Sequence, residues 1–444
     1  MHIIMDISLL MVLLQPLSST NISSLFNFQG FPNETHLNEG ESQALGGSLI
    51  YSLKNDTFSQ ETFFINCLFD YSKVGLLKNW TDLEFSVHSI NLTQFNFTIN
   101  LYAKRLGSAY LECQLKSNDN LKIVYKQKIS KLIVIRQDTV VELVFRILIT
   151  IFVLIITFVM GCGIDRLEVF KYIKKPISPA IGFCSQFVFM PLLSAGLAKL
   201  YGIDGAFGLG LLTIGCSPGG GSSNVWTVIF GGDLNLSMTM TFISSCAALV
   251  MMPLWLFILS RIFVDPTLIK IPFDNIAYNL LMVVIPVLLG ILFRWKFESK
   301  AAKIMKWAKV IGLFFVVFIL TFGIYANFYI FQLMADYVYL LPVGASLPWV
   351  GFSLGYLLSL VTRRTKKQSI AISLETGFQN VGIAIIILKY SIPQPEGDLG
   401  AVMSVIVSIF TPIPLYVLYL IIFIKKRYFT KEKLEYEAAQ VELT

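Results

Sequence analysis

The side chains able to do chemistry in this chain cluster where two long apolar runs are interrupted. The first interruption is Gly215-Cys216-Ser217-Pro218-Gly219-Gly220-Gly221-Ser222-Ser223-Asn224, inside an apolar run over about 206–230. The second is Glu375-Thr376-Gly377-Phe378-Gln379-Asn380, inside a run over about 370–388. Hydroxyl, amide and carboxylate oxygens suit a hard cation, and a set of thiolates or imidazoles for a transition metal is absent. Ser237 and Thr241, at i, i+4 on the segment after the first interruption, share one helix face and can point at one object. Interhelical hydrogen bonding or back-bonding to helix carbonyls is the other reading of that pair. Glu375 differs in kind, because an ionisable group within an apolar span is costly and marks a functional position by default. A buried neutral carboxylate, or one paired to a structural lysine, is the rival. Neither Lys nor Arg lies on the spans near it in sequence, which leaves a bound cation or a proton as compensation.

The backbone at these places carries its own information. A helix in lipid leaves no N–H or C=O unsatisfied, so Pro218 and three successive glycines are tolerated only where the freed groups face protein, water or an ion. Two interrupted helices in two halves of one membrane domain point to the ion and substrate site of a secondary transporter.

Composition sets the frame. The chain has 444 residues, 55% hydrophobic and 14% charged, too apolar for an ordinary soluble fold and long enough for a polytopic membrane domain plus a soluble one. Residues 20–138 hold 11 Lys/Arg and 11 Asp/Glu, so the net charge of +7 belongs to the membrane half, where it reads as a topology signal and not as a nucleic-acid patch. His2, His36 and His88 all precede the first span, which removes a histidine metal site or proton relay from the membrane domain. No enzyme motif is present, and no cofactor is expected.

Residues 1–19 carry a short apolar core followed by Gln15, Pro16 and small residues, and read as a cleaved secretory signal, an uncleaved interfacial segment being the other reading. Residues 20–138 read as an extracellular β domain with six N-x-S/T sequons, at Asn21, Asn33, Asn55, Asn79, Asn91 and Asn96. The run 92–101 alternates, with Phe95, Phe97, Ile99 and Leu101 on one face and Asn96, Thr98 and Asn100 on the other. Cys67 and Cys113 are the only cysteines here, and an oxidising compartment favours a disulfide between them. Trp80 between them suggests the Cys…Trp…Cys layout of immunoglobulin-like domains. Tyr110, three residues before its cysteine, is one residue off the tyrosine corner, so the expectation is a β-sandwich with immunoglobulin topology left open. The other cysteines, Cys162, Cys184, Cys216 and Cys246, read as small buried hydrophobes.

From Thr139 onward hydropathy gives nine spans, about 139–163, 178–200, 206–230, 234–260, 275–294, 307–330, 337–361, 369–388 and 399–424, with a tail over 425–444. With the N-terminal domain outside, 19 of the 24 basic residues of this half fall on alternate segments, the densest being Arg294 to Lys309, which supports an odd count and a cytoplasmic C-terminus. Glu142 and Arg146 read as an interfacial pair, Lys199 as snorkelling, and Asp204 and Asp233 as capping or solvated residues at span ends.

At these residues the sequence resembles the sodium/bile acid cotransporter family, solute carrier family 10. The motifs are Gln186-Phe187-Val188-Phe189-Met190-Pro191, Gly215-Cys216-Ser217-Pro218-Gly219-Gly220 running to Ser223-Asn224, Leu236-Ser237-Met238-Thr239-Met240-Thr241, and Glu375-Thr376-Gly377-Phe378-Gln379-Asn380, within a resemblance covering about 145–425. The resemblance implies an inverted-repeat fold with two broken helices crossing near mid-membrane. It implies one sodium site from Ser223, Asn224, Ser237, Thr241 and Glu375, and another from Gln186, Glu375 and Gln379 with backbone oxygens of Thr376 and Phe378. Asn380 would face the substrate cavity. The large glycosylated ectodomain departs from the bile acid carriers and leaves the substrate open.

The function expected is therefore a sodium-coupled symporter of an amphipathic organic anion, bile acid or steroid-sulfate-like, working by alternating access in a plasma membrane. Two Na⁺ moving with a monoanion carry one net charge inward, worth about 2.3 kcal/mol per 100 mV. The alternative is a membrane receptor or interaction protein that uses the ectodomain, with an unknown partner, on a transporter-like scaffold.

Overall fold

The computed structural model describes residues 26–51, 62–78, 83–86, 94–117, 123–137, 139–264 and 273–425. Residues 1–19, Asn21, Asn55, Asn79, Trp80, Asn91 and the tail from 426 lie outside the described residues. The chain divides after Gln137 into two compact units.

The first unit is strand-rich. A four-stranded antiparallel sheet has the order β1 (Phe26–Gln29), β3 (Ser42–Tyr51), β7 (Gln94–Ala103), β5 (Gly75–Leu77). A five-stranded sheet has the order β2 (Glu34–Asn38), β9 (Ile123–Ile135), β8 (Gly107–Ser117), β4 (Thr62–Phe69), β6 (Leu83–Ser86), with β2 parallel to β9. Both sheets feed one apolar core, with Leu49, Ile99 and Leu101 from the first and Ile65, Leu111, Leu115 and Leu132 from the second. β7 alternates as its sequence requires: Phe97, Ile99 and Leu101 are buried while Asn96, Thr98 and Asn100 are exposed. Asn33 is exposed as well.

Cys67 and Cys113 form a disulfide, and they are directly opposed partners on β4 and β8, with Cα atoms 4.1 Å apart. The bridge therefore joins neighbouring strands of one sheet. An immunoglobulin domain instead ties its two sheets together, so the layout suggested by cysteine spacing alone does not hold. Spacing along the chain cannot separate the two cases, since either strand partner can lie 46 residues away.

The second unit is helical. Its elements are α1 (Val140–Gly163), α2 (Arg166–Lys174), α3 (Ile177–Leu200), α4 (Gly205–Gly215), α5 (Ser222–Ile229), α6 (Leu234–Ile262), α7 (Phe273–Lys296), α8 (Glu298–Phe318), α9 (Phe328–Asp336), α10 (Leu340–Val361), α11 (Lys366–Gly377), α12 (Val381–Ser391) and α13 (Glu396–Lys425). Among the described residues six helices, α1, α3, α6, α7, α10 and α13, are long and apolar enough to cross a membrane, and a seventh is reached if α8 and its bent continuation count together. The runs over 206–230 and 369–388 are each two short helices, α4 with α5 and α11 with α12, because the polar interruptions stop the helical ladder. The lipid-type surface is plain on α1, where Leu143, Ile147, Ile151 and Ile155 form an exposed stripe at i, i+4 spacing.

Local signals explain the helix ends. Thr139 and Glu142 form a capping box at the start of α1, and Thr365 and Gln368 form another at the start of α11. α1 crosses α7 closely at two glycines: a Cβ on Gly161 would stand 2.2 Å from the Val287 carbonyl oxygen, and one on Gly290 would stand 2.2 Å from that of Phe158. Of the four cysteines expected to be buried, Cys162 and Cys216 are, Cys246 is half-buried and Cys184 is exposed on α3. An apolar helix surface can present a cysteine to lipid at little cost, and periodicity alone did not tell the two faces apart.

Candidate functional site

The two interruptions meet. Gly219 and Gln379 form an isolated antiparallel bridge, Gly220 N–H donates to the Phe378 carbonyl at 2.8 Å, and Asn380 N–H donates to that of Pro218 at 2.9 Å. Backbone groups freed by one broken helix are thus satisfied by the other, which is the condition for irregular backbone within an apolar body. The approach is close enough to demand glycine: a Cβ on Gly219 would lie 2.1 Å from Glu375 Oε1, and one on Gly220 would lie 2.7 Å from the Gln379 carbonyl oxygen.

Around this crossing the polar side chains form two groups. In the first, Ser223 Oγ donates to Glu375 Oε2 at 2.6 Å, Ser237 Oγ stands 3.5 Å from the same oxygen, and Thr227 Oγ1 is 3.3 Å from Ser237 Oγ. Thr241 hydrogen-bonds the Ser237 carbonyl at 3.0 Å, the back-bonding arrangement open to such a pair, and still sits on the face that carries Ser237. Glu375 is 2% exposed, so its environment excludes bulk water. In the second group, Gln186 Nε2 donates to Gln379 Oε1 and to the Ser217 carbonyl, both at 2.6 Å, and Gln379 Nε2 donates to the Thr376 carbonyl at 2.8 Å. The Phe378 carbonyl accepts from Gly220 and keeps a second lone pair.

Three buried oxygens of these residues have no hydrogen-bond partner: Glu375 Oε1, Gln186 Oε1 and Asn224 Oδ1. A buried acceptor without a donor is costly, and an acceptor-only carboxylate oxygen has no proton to offer a neighbour. All three are hard oxygen donors of the kind that hold an alkali or alkaline-earth cation. A small cavity bounded in part by Gln186, Ser244 and Glu375 lies beside them.

Placement of Gln186 rests on a defect in α3. Pro191 has no N–H for the Phe187 carbonyl one turn back, and the helix widens into a π-helical segment over Ser185–Phe189. The indole N–H of Trp255 donates to that orphan carbonyl. Gln186 is thereby fixed toward the crossing. Asn380 is only half-buried and its Oδ1 accepts from Ile383 N–H at 3.2 Å, so it caps α12 at the break.

Sequence reasoning missed three participants. Ser217 Oγ lies 3.4 Å from Gln379 Oε1, Ser244 Oγ accepts from Gly219 N–H at 3.2 Å, and Thr227 bridges toward Ser237, while Gly219, already marked by the glycine run, gives Glu375 its room. Ser244 follows Ser237 and Thr241 at i+7 and i+3, a periodic signal that was available. Other charged residues lie elsewhere: Lys199 pairs with Asp204, Asp233 caps α6 and accepts from the Tyr172 hydroxyl at 2.7 Å, and Arg146 stands over the Tyr390 ring.

Residues 150–333 match the Sodium Bile acid symporter family. The ileal sodium/bile acid cotransporter of Oryctolagus cuniculus is 32% identical over 275 residues, 62% of this chain and 78% of that protein. The chain belongs to the sodium/bile acid symporter family. Other relatives are the sodium-dependent organic anion transporter of Rattus norvegicus, 33% identical over 251 residues, 56% of this chain and 66% of the relative, and the hepatic sodium/bile acid cotransporter of the same organism, 32% identical over 253 residues, 56% and 69%. The family is one of transporters and not of enzymes. Its match ends at residue 333, so in this family member the contribution of Glu375 is read from the geometry of the crossing.

Proposed function

We propose that this protein is a sodium-coupled symporter that moves an amphipathic organic anion, bile acid-like or steroid-sulfate-like, by alternating access. The observation that carries the reading is Glu375: a carboxylate buried at the crossing of two broken helices, one oxygen held by Ser223 and the other without a partner. Ser223, Asn224, Ser237, Thr241 and Glu375 would hold one Na⁺, and Gln186, Glu375 and Gln379 with the Thr376 and Phe378 carbonyls the other. One carboxylate facing two cations leaves about one positive charge, which favours an organic anion nearby and accounts for coupling.

In the same reading the chain crosses the membrane nine times, with each broken pair and the bent helix counted as one crossing, in an inverted-repeat arrangement. Residues 1–19 are removed as a signal, the β unit is extracellular and N-glycosylated at the sequons, and the tail is in the cytoplasm of a plasma-membrane protein. A receptor role for the β unit is the second reading, and the intact donor set argues against it as the sole function. The test is uptake of a radiolabelled panel of bile acids and steroid sulfates, with and without Na⁺, in cells where surface delivery is verified. Sodium-dependent uptake of at least one anion is the expected result. A chain delivered to the surface that moves none of them leaves the receptor reading.

A further inference from the structure

The corner between α7 and α8 gathers positive charge. Residues 294–309 hold Arg294, Lys296, Lys300, Lys303, Lys306 and Lys309 against one acid, Glu298. The corner joins two apolar helices end to end, so these charges lie where the apolar surface of both helices stops. Arg294 is engaged in the fold. It donates to the Gly163 and Cys162 carbonyls at the end of α1, at 2.6 and 3.3 Å, and lies 3.4 Å from Asp165 Oδ2. It thereby satisfies carbonyls that the last turn of α1 leaves over and ties α7 to that helix.

Lys296, Lys300, Lys303 and Lys306 are held differently. All four are exposed, and none is paired with a carboxylate among the described residues. A ring gathers two of them: Nζ of Lys296 and Nζ of Lys300 stand 5.6 and 5.1 Å from the Phe297 centroid. An aromatic face attracts an ammonium through its quadrupole and leaves the charge intact for a further anion. The pattern of α8 directs the other two. Ala301, Ile304, Met305 and Ala308 recur at i, i+3, i+4 and i+7. Ala301 is buried, and Met305 Cε lies 3.2 Å from where a Cβ on Gly163 would stand, so this face packs toward α1. Lys303 and Lys306 fall between those positions and face outward, and Trp307 beside them is exposed, as is Trp295 at the end of α7. The helix also bends, by 42° between Glu298–Ala308 and the apolar stretch Val310–Ala326. A basic amphipathic arm with tryptophan, at the end of an apolar span, has the character of a segment that lies among lipid headgroups.

We propose that this corner binds the headgroup of an anionic phospholipid, its phosphates held by Lys296, Lys300, Lys303 and Lys306 and its acyl chains lying along the apolar stretches of α7 and α8. The inference stands apart from the transport reading. Membrane topology asks only for an excess of positive charge on one side, whereas here unneutralised ammonium groups share an arm with exposed indoles that suit the headgroup boundary. A headgroup with several phosphates meets several lysines at once, so affinity rises with headgroup charge. A zwitterionic headgroup brings its own cation and gains little.

The probes are short-chain phosphatidylinositol bisphosphate, phosphatidylserine and phosphatidylcholine, titrated against the melting temperature of the purified full chain in neutral detergent. The bisphosphate lipid should act at a concentration about tenfold or more below that needed of phosphatidylcholine, with phosphatidylserine between them. Lys296→Gln, Lys300→Gln, Lys303→Gln and Lys306→Gln should each raise that concentration by up to about fivefold, and together they should erase the preference, while the four Arg replacements keep it. The melting temperature without lipid should be unchanged in the Gln variants, which separates loss of lipid from loss of fold. Lys366→Gln with Lys367→Gln removes two exposed cations at the start of α11 and should move the titration by less than about twofold. Inositol trisphosphate, a headgroup without chains, should bind about tenfold or more weaker than the lipid. Equal stabilisation by all three lipids, or an undiminished response in the fourfold Gln variant, overturns the proposal. So does an equal loss from the α11 pair, which would assign the effect to diffuse charge, or equal binding of inositol trisphosphate, which would make the corner a site for soluble phosphates.

Discussion

The two interruptions face each other and are built from opposite materials. The first supplies room and neutral donors: Gly219 and Gly220 admit the partner backbone and carboxylate within distances no side chain allows, and Ser217, Ser223 and the Gly219 and Gly220 N–H groups point into the crossing. The second supplies charge and amides, Glu375 and Gln379, and its single glycine, Gly377, makes space for the Phe352 ring, which a Cβ would meet at 2.1 Å. Neither segment is a site alone. A glycine-rich break without the carboxylate would hold water, and a carboxylate on an unbroken helix would have no hydroxyl or backbone partner of the kind seen here.

Removing the charge should have the largest effect. Glu375→Gln keeps the size of the side chain and one carbonyl oxygen but deletes the charge that offsets two cations. Sodium-dependent uptake should fall to background, and stabilisation of the purified protein by Na⁺ should disappear, while surface delivery largely survives. Uptake that keeps its sodium dependence in this variant would show that the carboxylate is not shared between the ion sites.

Removing the room comes next. Gly219→Ala places a methyl against Glu375 and Gly220→Ala places one against backbone, so each should cost about 1–3 kcal/mol and lower the melting temperature by several degrees. Gly221→Ala is the control within the same run: its nearest neighbour is the Met160 sulfur at 3.2 Å, the flexible part of a side chain that can move. Thermal melts of the three variants should place Gly221→Ala close to the wild type. Equal losses at all three positions would mean that the run is sensitive to any added bulk, not that the crossing itself demands glycine.

How much of this was legible in the sequence differs between the two breaks. Gly219, Gly220, Glu375 and Gln379 stood out because each violates what an apolar helix tolerates, and violation is visible without coordinates. The pairing of the breaks was not derivable from periodicity; it entered through the family resemblance, and the backbone exchange between Pro218, Gly220, Phe378 and Asn380 appears only in three dimensions. Thr227 and Ser244 were hidden because hydroxyls on apolar helices are common and their usual role is bonding to their own helix. In the β unit the alternation of β7 was readable, whereas the Cys67–Cys113 pairing left open whether one sheet or two were joined.

A smaller loss is expected from Gln186. Its Nε2 serves both the Ser217 carbonyl and Gln379 Oε1, so Gln186→Leu removes one donor from two buried acceptors and deletes a candidate sodium ligand. A destabilisation of about 1–3 kcal/mol follows, together with a rise in the Na⁺ concentration needed for half-maximal stabilisation. Titrating Na⁺ against the melting temperature checks both. An unchanged sodium titration would remove Gln186 from the ion-binding set and leave it a structural tie.

Ser237 should matter least, and for a definite reason. Its Oγ is 3.5 Å from Glu375 Oε2, and the Thr227 hydroxyl near it also reaches the Ser223 carbonyl at 2.8 Å, so Ser237→Ala leaves no buried donor without a partner. What is lost is one neutral oxygen at the carboxylate, worth about 0.5–1.5 kcal/mol, or about two- to twelvefold in apparent sodium affinity. Water can take the vacated place at modest cost. The two substitutions should also not add. If Ser237 acts through the ion held by the carboxylate, then Ser237→Ala made in the Glu375→Gln background should change the sodium response no further, since that response is already gone. A second loss on top of the first, seen in sodium-dependent melting of the single and double variants, would place Ser237 in a separate site and divide the ligand set that the crossing brings together.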